Sequence, residues 1–458
     1  MIKVEYFFAW VFITLVCFFT VNVEAKTVVQ LNLEKETQEK VSLAITDFIF
    51  NGTGSDIRGL GKEARRILEQ DLTYSELFSL LGKPVFEQLE RMERASSDMS
   101  YKNWRTIGAQ WILKTEYRVI SKGRGQVFDF RLYDAVNKRM ILGKRYKSSP
   151  KLLRKIVHRF ADEVVLQLTG KRGLAETQIT FLGQEKNGSK EVYRVDFDGQ
   201  NLRQLTRDDA VNLSPSWSPN GKWIIYTSYA AHNPDLIRIG SSGQKRITLY
   251  RLPGLNAAPA WSPDMQKIAI VLTRDQNSEI YLLKRNKNPH RLTRHFNIDT
   301  SPTWSPDGKK IAFTSDRSGA GAPQIYIMGT EKGDSGKVTR ISFGSSYNDN
   351  PSWSPDGDKI AYTSRQGKKF QISVYDLNTH KSKVVTSGLG SSEQPSWSPD
   401  GRFIVFRKRI NNRFNIFIQR PGRRGIRQLT YSGNSHSPSW SPYINNQVLK
   451  VCKKTLSD

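Results

Sequence analysis

Cysteine is scarce in this chain: its 458 residues include only Cys17 and Cys452. Because Cys17 lies within a predicted cleavable leader, the exported chain would keep a single thiol, which excludes an internal disulfide. The stability of the protein must therefore come from packed hydrophobic cores.

Recognisable catalytic and cofactor motifs are also missing. The sequence has no Gly-x-Ser-x-Gly nucleophile turn, no His-Glu-x-x-His pair, no paired Cys-x-x-Cys, no P-loop and no dinucleotide fingerprint after a strand. Its six histidines are dispersed along the chain. We therefore predict no cofactor and no metal site, and the missing nucleophile turn argues against a serine hydrolase.

An apolar run near the N-terminus covers residues 6–21 and follows Lys3. It is shorter than the roughly 20 residues that a membrane-spanning helix needs. The segment Val23-Glu24-Ala25 places small residues just before Lys26, as at a signal-peptide cleavage site. This pattern predicts a signal peptide over residues 1–25 and cleavage before Lys26. A retained membrane anchor is the alternative.

Acidic residues are few relative to basic ones. The chain has 43 Asp and Glu against 70 Lys and Arg, which gives a formal net charge of +27. Such a charge favours anionic partners, but the basic residues are scattered, and an exported protein is not expected to bind nucleic acid. A compositional habit of the source genome, acidic envelope polymers and an acidic partner protein remain open as explanations.

The most regular feature is a phrase resembling Ser-Pro-Ser-Trp-Ser-Pro-Asp-Gly that occurs six times. Its tryptophans are Trp217, Trp261, Trp304, Trp353, Trp397 and Trp440. Successive tryptophans are 44, 43, 49, 44 and 43 residues apart. A period in this range is typical of an architecture in which one unit recurs. Four strand-like segments accompany each phrase, which indicates one blade of a β-propeller per repeat.

The ends of the repeat region predict how the ring closes. Strands predicted over residues 178–182, 191–196 and 203–206 lack an inner strand, whereas Pro438-Ser439-Trp440 is a spare inner strand at the other end. Pairing the two ends completes a sixth blade and leaves no free sheet edge. We predict six blades over residues 178–443; a seventh blade that uses residues 448–451 is the alternative.

Two recurring residue types in the repeats are predicted to be structural. The six tryptophans are expected to be wedges packed between blades. Asp264, Asp307, Asp356 and Asp400 are expected to cap tight turns rather than to bind a metal.

The segment before the repeats, residues 41–170, is predicted to be a small α/β domain. Its expected elements are a strand over 41–45, a helix from Leu60 to about Asp71, a strand meander over 109–120, 126–133 and 139–146, and a helix from Pro150 to Gly170. Residues 26–40 are predicted to be a flexible arm, 171–177 a linker and 444–458 a C-terminal extension. The predicted fold is thus a small α/β domain followed by an all-β six-bladed propeller.

This organisation resembles the TolB family, periplasmic propeller proteins of the bacterial Tol-Pal envelope system. The residues that carry the resemblance are the join Leu168-Thr169-Gly170-Lys171-Arg172-Gly173, the repeats, and the closing phrase Trp440-Ser441-Pro442-Tyr443. The resemblance implies a periplasmic scaffold and not an enzyme. Such a scaffold would bind the peptidoglycan-associated lipoprotein, Pal, at one mouth of the propeller channel and TolA through the N-terminal arm. It also implies a role in outer-membrane integrity and in constriction during cell division.

Matched by motif position, the resemblance places the Pal-binding residues where the chain enters the inner strands. These are Asn256, Ala257, Ala258, Asp299, Thr300, Ser301, Asp349, Asn350, Glu393, Gln394, Ser435 and His436. The arm residues that would engage TolA are Thr27, Val28, Val29, Gln30, Leu31 and Asn32.

Alternatives remain for both the arm and the function. The alternating, β-prone arm suits strand addition to a partner, but it also suits an ordinary first strand of the α/β domain. Binding of envelope glycans, favoured by the basic charge, is the second functional hypothesis. A hydrolase is the third, because similar repeats occur in propellers of prolyl oligopeptidase-like enzymes.

Overall fold

The computed structural model describes residues 40–444 apart from 53–55, 57, 97, 121–123, 285–287 and 320–321. The predicted signal peptide, residues 26–39 of the predicted arm, and residues 445–458 lie outside the described residues. The TolA-binding segment from Thr27 to Asn32 and the strand considered over residues 448–451 therefore stay predictions.

The N-terminal unit is built on one mixed sheet. Its strands are β1 (Val41–Ile45), β2 (Ile49–Phe50), β3 (Phe78–Leu80), β4 (Trp111–Ile120), β5 (Gly125–Asp134) and β6 (Arg139–Ser148). The sheet order is β3-β1-β4-β5-β6, and β2 also pairs with β4. The predicted strand and meander are present, with boundaries that differ by up to two residues.

Four helices accompany this sheet: α1 (Leu60–Tyr74), α2 (Lys83–Ser96), α3 (Tyr101–Thr106) and α4 (Leu153–Thr169). The predicted first helix continues to Tyr74 rather than ending at Asp71. The last helix is preceded by a 3₁₀ turn at Pro150–Leu152 and ends at Gly170, which has φ 73°. One apolar face each of α1 and α4 packs on the sheet around Phe130 and Phe160, whose ring centroids lie 4.4 Å apart.

The second unit is a propeller of six four-stranded antiparallel sheets, which confirms the predicted blade number. Blades one to five consist, in order, of Asn212–Trp217, Trp223–Ala231, Asn233–Gly240 and Ile247–Tyr250; Asn256–Trp261, Lys267–Leu272, Glu279–Lys284 and His290–Arg291; Asp299–Trp304, Lys310–Ser315, Gln324–Gly329 and Val338–Arg340; Asn348–Trp353, Lys359–Gln366, Lys369–Asp376 and Lys381–Val384; Ser392–Trp397, Ile404–Ile410, Arg413–Gln419 and Ile426–Gln428.

The remaining blade, called the closing blade here, draws its strands from both ends of the propeller sequence. Its inner strand is Ser435–Trp440, which pairs antiparallel with Gln178–Gln184; Lys190–Asp196 and Arg203–Gln204 complete the sheet. The six inner strands contact one another in sequence around the axis, including the contact between the inner strands of the closing blade and of blade one.

The strand directions give the propeller two distinct faces. Loops that lead from the last strand of one blade into the inner strand of the next lie on one side, which we call the mouth face. The Ser-Pro-Asp-Gly turns that follow the inner strands lie on the opposite side, which we call the linker face because the α/β unit packs there. Arg402, in one of these turns, donates Nη1 to the Ser75 carbonyl oxygen at 3.1 Å.

Side-chain capping explains the shape of these turns. In blade three, Ser305 Oγ donates to Asp307 Oδ1 at 2.5 Å, the Lys309 N–H donates to the same oxygen at 3.0 Å, and Gly308 has φ 69°. Asp264 and Asp400 cap their turns in the same way, as predicted. In blade four the prediction for Asp356 was wrong, because Ser354 Oγ donates to Asp358 instead.

Four of the repeat tryptophans are buried, as predicted for packing wedges: Trp217, Trp304, Trp397 and Trp440. Two of them also tie neighbouring blades together. Trp304 Nε1 donates to the Ala260 carbonyl oxygen at 3.0 Å, and Trp397 Nε1 donates to the Ser352 carbonyl oxygen at 3.1 Å. Trp261 and Trp353 are only half-buried.

A buried polar network joins the α/β unit to the closing blade. His158 of α4 and Asp71 of α1 form a hydrogen bond of 2.6 Å between Nδ1 and Oδ2. Arg154 Nη2 lies 3.2 Å from His158 Nε2 and donates to Asp198 Oδ2 at 2.5 Å, so the network crosses into the propeller. Beside it, the Arg427 guanidinium lies over the Tyr74 ring at 4.0 Å.

The charge of Asp71 controls the protonation of His158. Burial by itself lowers the pKa of His158, but the Asp71 carboxylate beside it outweighs burial and raises that pKa to about 9. The raised pKa favours a protonated His158 paired with the Asp71 carboxylate at neutral pH. Burial acts in the opposite sense on Asp71 and raises the pKa of its carboxyl.

This ion pair predicts how stability depends on pH. The folded-state pKa of His158, about 9, lies above the ordinary value near 6.5. The stabilisation is then complete below about pH 6.5 and is lost as the pH rises through 9. We expect the free energy of unfolding, measured by urea denaturation, to fall by up to about 3 kcal/mol across this window.

The matched control is His158→Gln, which cannot titrate. This variant should be less stable than the wild type at pH 6.5 by roughly 3 kcal/mol, because it leaves Asp71 buried without its charged partner. Its stability should change little between pH 6.5 and 9. Equal slopes for the wild type and the variant would contradict the assignment.

Candidate functional site

A polar cavity lies on the propeller axis, where the six inner strands converge. Its volume is about 200 Å³, and each blade contributes one tripeptide with a central proline. The tripeptides are Ser214-Pro215-Ser216, Ala258-Pro259-Ala260, Ser301-Pro302-Thr303, Asn350-Pro351-Ser352, Gln394-Pro395-Ser396 and Ser437-Pro438-Ser439. The small side chains after each proline leave room for the cavity.

The residue before each of these prolines has a left-handed backbone. Its φ lies between 47° and 57° in all six blades, at Ser214, Ala258, Ser301, Asn350, Gln394 and Ser437. A residue before proline normally adopts an extended backbone, so the same strained conformation is repeated six times. The pairing register of each inner strand shifts at this point, which identifies a β-bulge.

Side chains satisfy several backbone N–H groups at the bulges. The Gln394 N–H donates to Thr363 Oγ1 at 3.0 Å, and the Ser437 N–H donates to Gln394 Oε1 at 2.8 Å. These bonds run between adjacent blades around the axis. The bulges therefore shape the wall of the channel, and the hydrogen bonds at the bulges link adjacent blades.

Three of the predicted mouth residues are fully buried: Asn256, Asp299 and Ser435. Each is the first residue of an inner strand, and its side chain points into the protein. Asn256 Nδ2, for example, donates to the carbonyl oxygens of Leu252 and Gly254 at 2.8 and 3.0 Å.

Asp299 is held in a similar way. It accepts a hydrogen bond from Arg317 Nη2 at 2.7 Å, while burial raises its pKa to about 6. The first residue of each of these inner strands therefore holds the preceding loop in place and does not line the surface of the mouth.

The other nine predicted mouth residues are half-buried at the axis or beside it: Ala257, Ala258, Thr300, Ser301, Asp349, Asn350, Glu393, Gln394 and His436. Asp349 accepts hydrogen bonds from Thr314 Oγ1 at 2.9 Å and from the Tyr347 hydroxyl at 3.3 Å. The side chains of Thr300 and Asn350 form no hydrogen bond within the described part of the chain, so their polar groups are available to a ligand.

Glu393 and His436 belong to a cluster whose central residue the sequence did not indicate. Arg407 Nη2 donates to Glu393 Oε2, and Arg407 Nη1 lies 2.9 Å from His436 Nδ1. The Arg407 guanidinium also lies 4.5 Å from the centre of the Phe414 ring. Burial, together with the charges of Arg407 and Lys190, lowers the pKa of His436 to about 4. His436 is therefore neutral and accepts from Arg407.

Four of the six loops that lead into inner strands on this face carry a strongly exposed large apolar side chain, and together these side chains form an apolar collar. We use that name for Phe296, Phe343, Leu389 and Tyr431, which are 86%, 65%, 82% and 77% exposed and are the most exposed large apolar side chains among the described residues. Each lies in a loop leading into an inner strand, on the mouth face. Exposed apolar side chains clustered on one face are typical of a protein-interaction surface.

The group of residues best arranged for a metal in the described part of the chain is Asp71, His158 and Asp198. The Arg154 guanidinium already contacts His158 Nε2 and Asp198 there, and the other ring nitrogen of His158, Nδ1, forms a hydrogen bond with Asp71. These donors are thus occupied by hydrogen bonds and by an internal cation. Over the same residues, no helix has the length and apolar character needed to cross a membrane.

Comparisons with known proteins agree with this architecture. A family model described as the TolB beta propeller domain matches residues 165–444, and one described as the TolB amino-terminal domain matches residues 29–141. The crystal structure of TolB from Acinetobacter baumannii is 25% identical, has a TM-score of 0.75, and the match covers 90% of this chain and 99% of that one.

Two curated relatives are each called Tol-Pal system protein TolB. The protein from Desulfosudis oleivorans is 39% identical over 201 residues, 43% of this chain and 44% of the relative. The protein from Syntrophotalea carbinolica is 34% identical over 219 residues, 48% of this chain and 49% of the relative. The chain thus spans about half the length of these relatives.

The bulge geometry predicts an unusual response to substitution at Ser437. Ser437→Val places a β-branched residue at φ 47° before a proline and should destabilise the protein by about 1–2 kcal/mol. Ser437→Gly should be neutral or slightly stabilising, because glycine adopts this conformation without strain. Thermal unfolding compares the two variants; a Gly variant that is less stable than the Val variant would contradict the assigned backbone strain.

Proposed function

This chain belongs to the TolB family, and from that premise we propose that it is a periplasmic, non-catalytic scaffold of the Tol-Pal system that binds Pal at the mouth face of its propeller. The role would support outer-membrane integrity and constriction during cell division. The observation that carries the proposal is the combination, on a single face, of an open polar channel and an apolar collar.

The channel suits a short polar segment of a partner rather than a large side chain. Its volume of about 200 Å³ is small, and its wall is built from prolines and small or amide-bearing residues. Thr300 and Asn350 offer hydrogen-bonding groups that have no partner within the described residues. A loop inserted here would exchange hydrogen bonds with the wall, which favours specificity.

The collar supplies the apolar contact surface that the polar channel lacks. Phe296, Phe343, Leu389 and Tyr431 are displayed around the mouth, where the rim of a docked protein would cover them. Aromatic side chains contribute a large share of the binding energy at protein interfaces. We assign orientation to the polar mouth and affinity mainly to the collar.

The predicted mouth residues divide into two roles in this proposal. The nine half-buried residues either contact the partner directly or lie beside residues that do. Asn256, Asp299 and Ser435, which are buried, position the loops that carry the collar. Phe296, for example, lies between the end of blade two and Asp299, so anchoring Asp299 limits where this loop can move.

TolA is the second proposed partner, bound through the arm residues Thr27 to Asn32, which lie outside the described residues. The α/β unit, to which these residues lead in the sequence, packs on the linker face, opposite the proposed Pal site. A scaffold of this shape has separate surfaces for two partners.

Blocking the channel tests the Pal site. We expect Ala258→Arg combined with Thr300→Arg to weaken Pal binding at least tenfold, because two long cations would fill a cavity that is lined by small residues. Isothermal titration calorimetry with Pal that lacks its lipid measures the affinity, and circular dichroism checks the fold.

A matched control places arginine on the other face. Thr379→Arg adds a cation at an exposed turn residue of the linker face and should leave the affinity for Pal unchanged. A correctly folded double variant with unchanged affinity for Pal would refute the channel site. Equal loss of affinity in the Thr379→Arg control would show that added charge, rather than the blocked channel, causes the effect.

A further inference from the structure

A second, larger cavity opens on the linker face, away from the channel mouth. Its volume is about 840 Å³, and it lies between blades four and five beside Lys171 of the linker. Turns of both blades form its walls. Because the inner-strand channel and the collar are on the opposite face, this cavity has no part in the proposed docking of Pal.

Basic side chains dominate the lining of this cavity. Its charged residues are Lys171, Lys359, Lys383, Arg402, Arg420 and Arg423 against Asp356, Asp358 and Asp400. Two of the acids are already paired, Asp400 with Arg402 and Asp358 with Lys359. The lining as a whole therefore carries more positive than negative charge.

A tight turn holds two of these arginines together. Arg420 and Arg423 are the ends of the turn Arg420-Pro421-Gly422-Arg423, in which the Arg423 N–H donates to the Arg420 carbonyl oxygen at 3.1 Å. Gly422 has φ 79°, which only glycine adopts readily, and proline fixes the preceding φ. The rigid turn keeps the two arginines close to each other.

Arg420 is half-buried, whereas Lys171 and Lys383 are exposed. Within the described residues, its guanidinium forms no hydrogen bond and no ion pair. Burial lowers the pKa of Arg420, and the positive charges of Arg423 and Arg402 lower it further. The negative charges of Glu76 and Asp400 act in the opposite sense but offset this only in part. An oxyanion in the cavity would stabilise the charged guanidinium further.

We propose that this cavity is a binding site for a phosphate group, presented as inorganic phosphate or as the phosphate of a sugar phosphate. Arg420 makes the central contact, and Arg423 and Lys171 supply further positive charge. The planar guanidinium can donate two parallel hydrogen bonds to two oxygens of one phosphate group. The volume of about 840 Å³ exceeds that of the phosphate alone and leaves room for a sugar.

The charge excess favours phosphate over carboxylate. One carboxylate would neutralise a single cation, whereas a phosphate monoester carries a charge of roughly −1.5 to −2 at pH 7. The lining of the cavity has six basic residues against three acidic ones, an excess of three positive charges. A dianion offsets more of this excess than a monoanion does.

Isothermal titration calorimetry on the chain from Lys26 to Asp458 tests the site with three probes: inorganic phosphate, glucose 6-phosphate and acetate, all at constant ionic strength. We expect saturable binding of at least one of the two phosphate probes, and binding of acetate at least tenfold weaker. Inorganic phosphate binding as tightly as glucose 6-phosphate indicates a site for the phosphate alone. Tighter binding of glucose 6-phosphate indicates that the sugar also occupies the cavity.

Two variants localise the binding. Arg420→Gln should weaken phosphate binding roughly tenfold or more, since it removes a charge-assisted hydrogen bond. The matched control is Arg424→Gln, which makes the same change at an exposed residue next to the turn and should alter the affinity by less than about twofold. If Arg420→Gln does not fold, Arg420→Lys keeps the charge but loses the planar fork and should weaken binding to an intermediate degree.

Three outcomes would overturn the proposal. These are the absence of saturable binding by both phosphate probes, binding of acetate as tight as that of phosphate, and equal weakening by Arg424→Gln and Arg420→Gln. The last result would mean that the protein attracts anions through its net charge alone. Pal binding by the Arg420→Gln variant should stay normal, so failure of this proposal is distinguishable from failure of the Pal site.

Discussion

The crowding of six inner strands around one axis is the constraint on which the rest of the structure depends. Six strands fit there only if the side chains facing the axis are small, and the Ser, Ala and Thr residues after the central prolines meet this condition. Each strand also carries a bulge with a left-handed residue before the proline. The repeated phrase in the sequence therefore reflects mainly the small side chains and the bulge that packing at the axis requires. The buried tryptophans of the phrase fill the wider space between blades.

That constraint separates the two faces of the propeller. The bulges and the loops before them shape the mouth face, where strained backbone, free polar groups and the apolar collar come together. Ser-Pro-Asp-Gly turns shape the linker face, where the α/β unit docks through the Asp71–His158–Arg154–Asp198 network. Strained backbone concentrated at one end of a scaffold is typical of a functional site, and the proposal of partner binding at the mouth follows from this asymmetry.

The sequence predicted the features that repeat or that depend on neighbouring residues. The period of the tryptophan phrase and the unmatched strands at the two ends were enough to predict six blades, and Pro150 and Gly170 marked the last helix. Features that depend on side-chain direction were not predictable in the same way. Asn256, Asp299 and Ser435 were expected at the mouth and are buried, because the first residue of each inner strand points inward. Arg407 was missed because its pairing with Glu393 across two strands appears only once their register is known.

Hydrogen exchange of the chain from Lys26 to Asp458, alone and bound to Pal, tests the central claim most directly. The account predicts slower exchange on binding in the first halves of the inner strands and in the loops that carry Phe296, Phe343, Leu389 and Tyr431. It predicts unchanged exchange in the Ser-Pro-Asp-Gly turns of the linker face. Protection confined to the linker face or to helices α1 to α4, with the mouth loops unchanged, would contradict it.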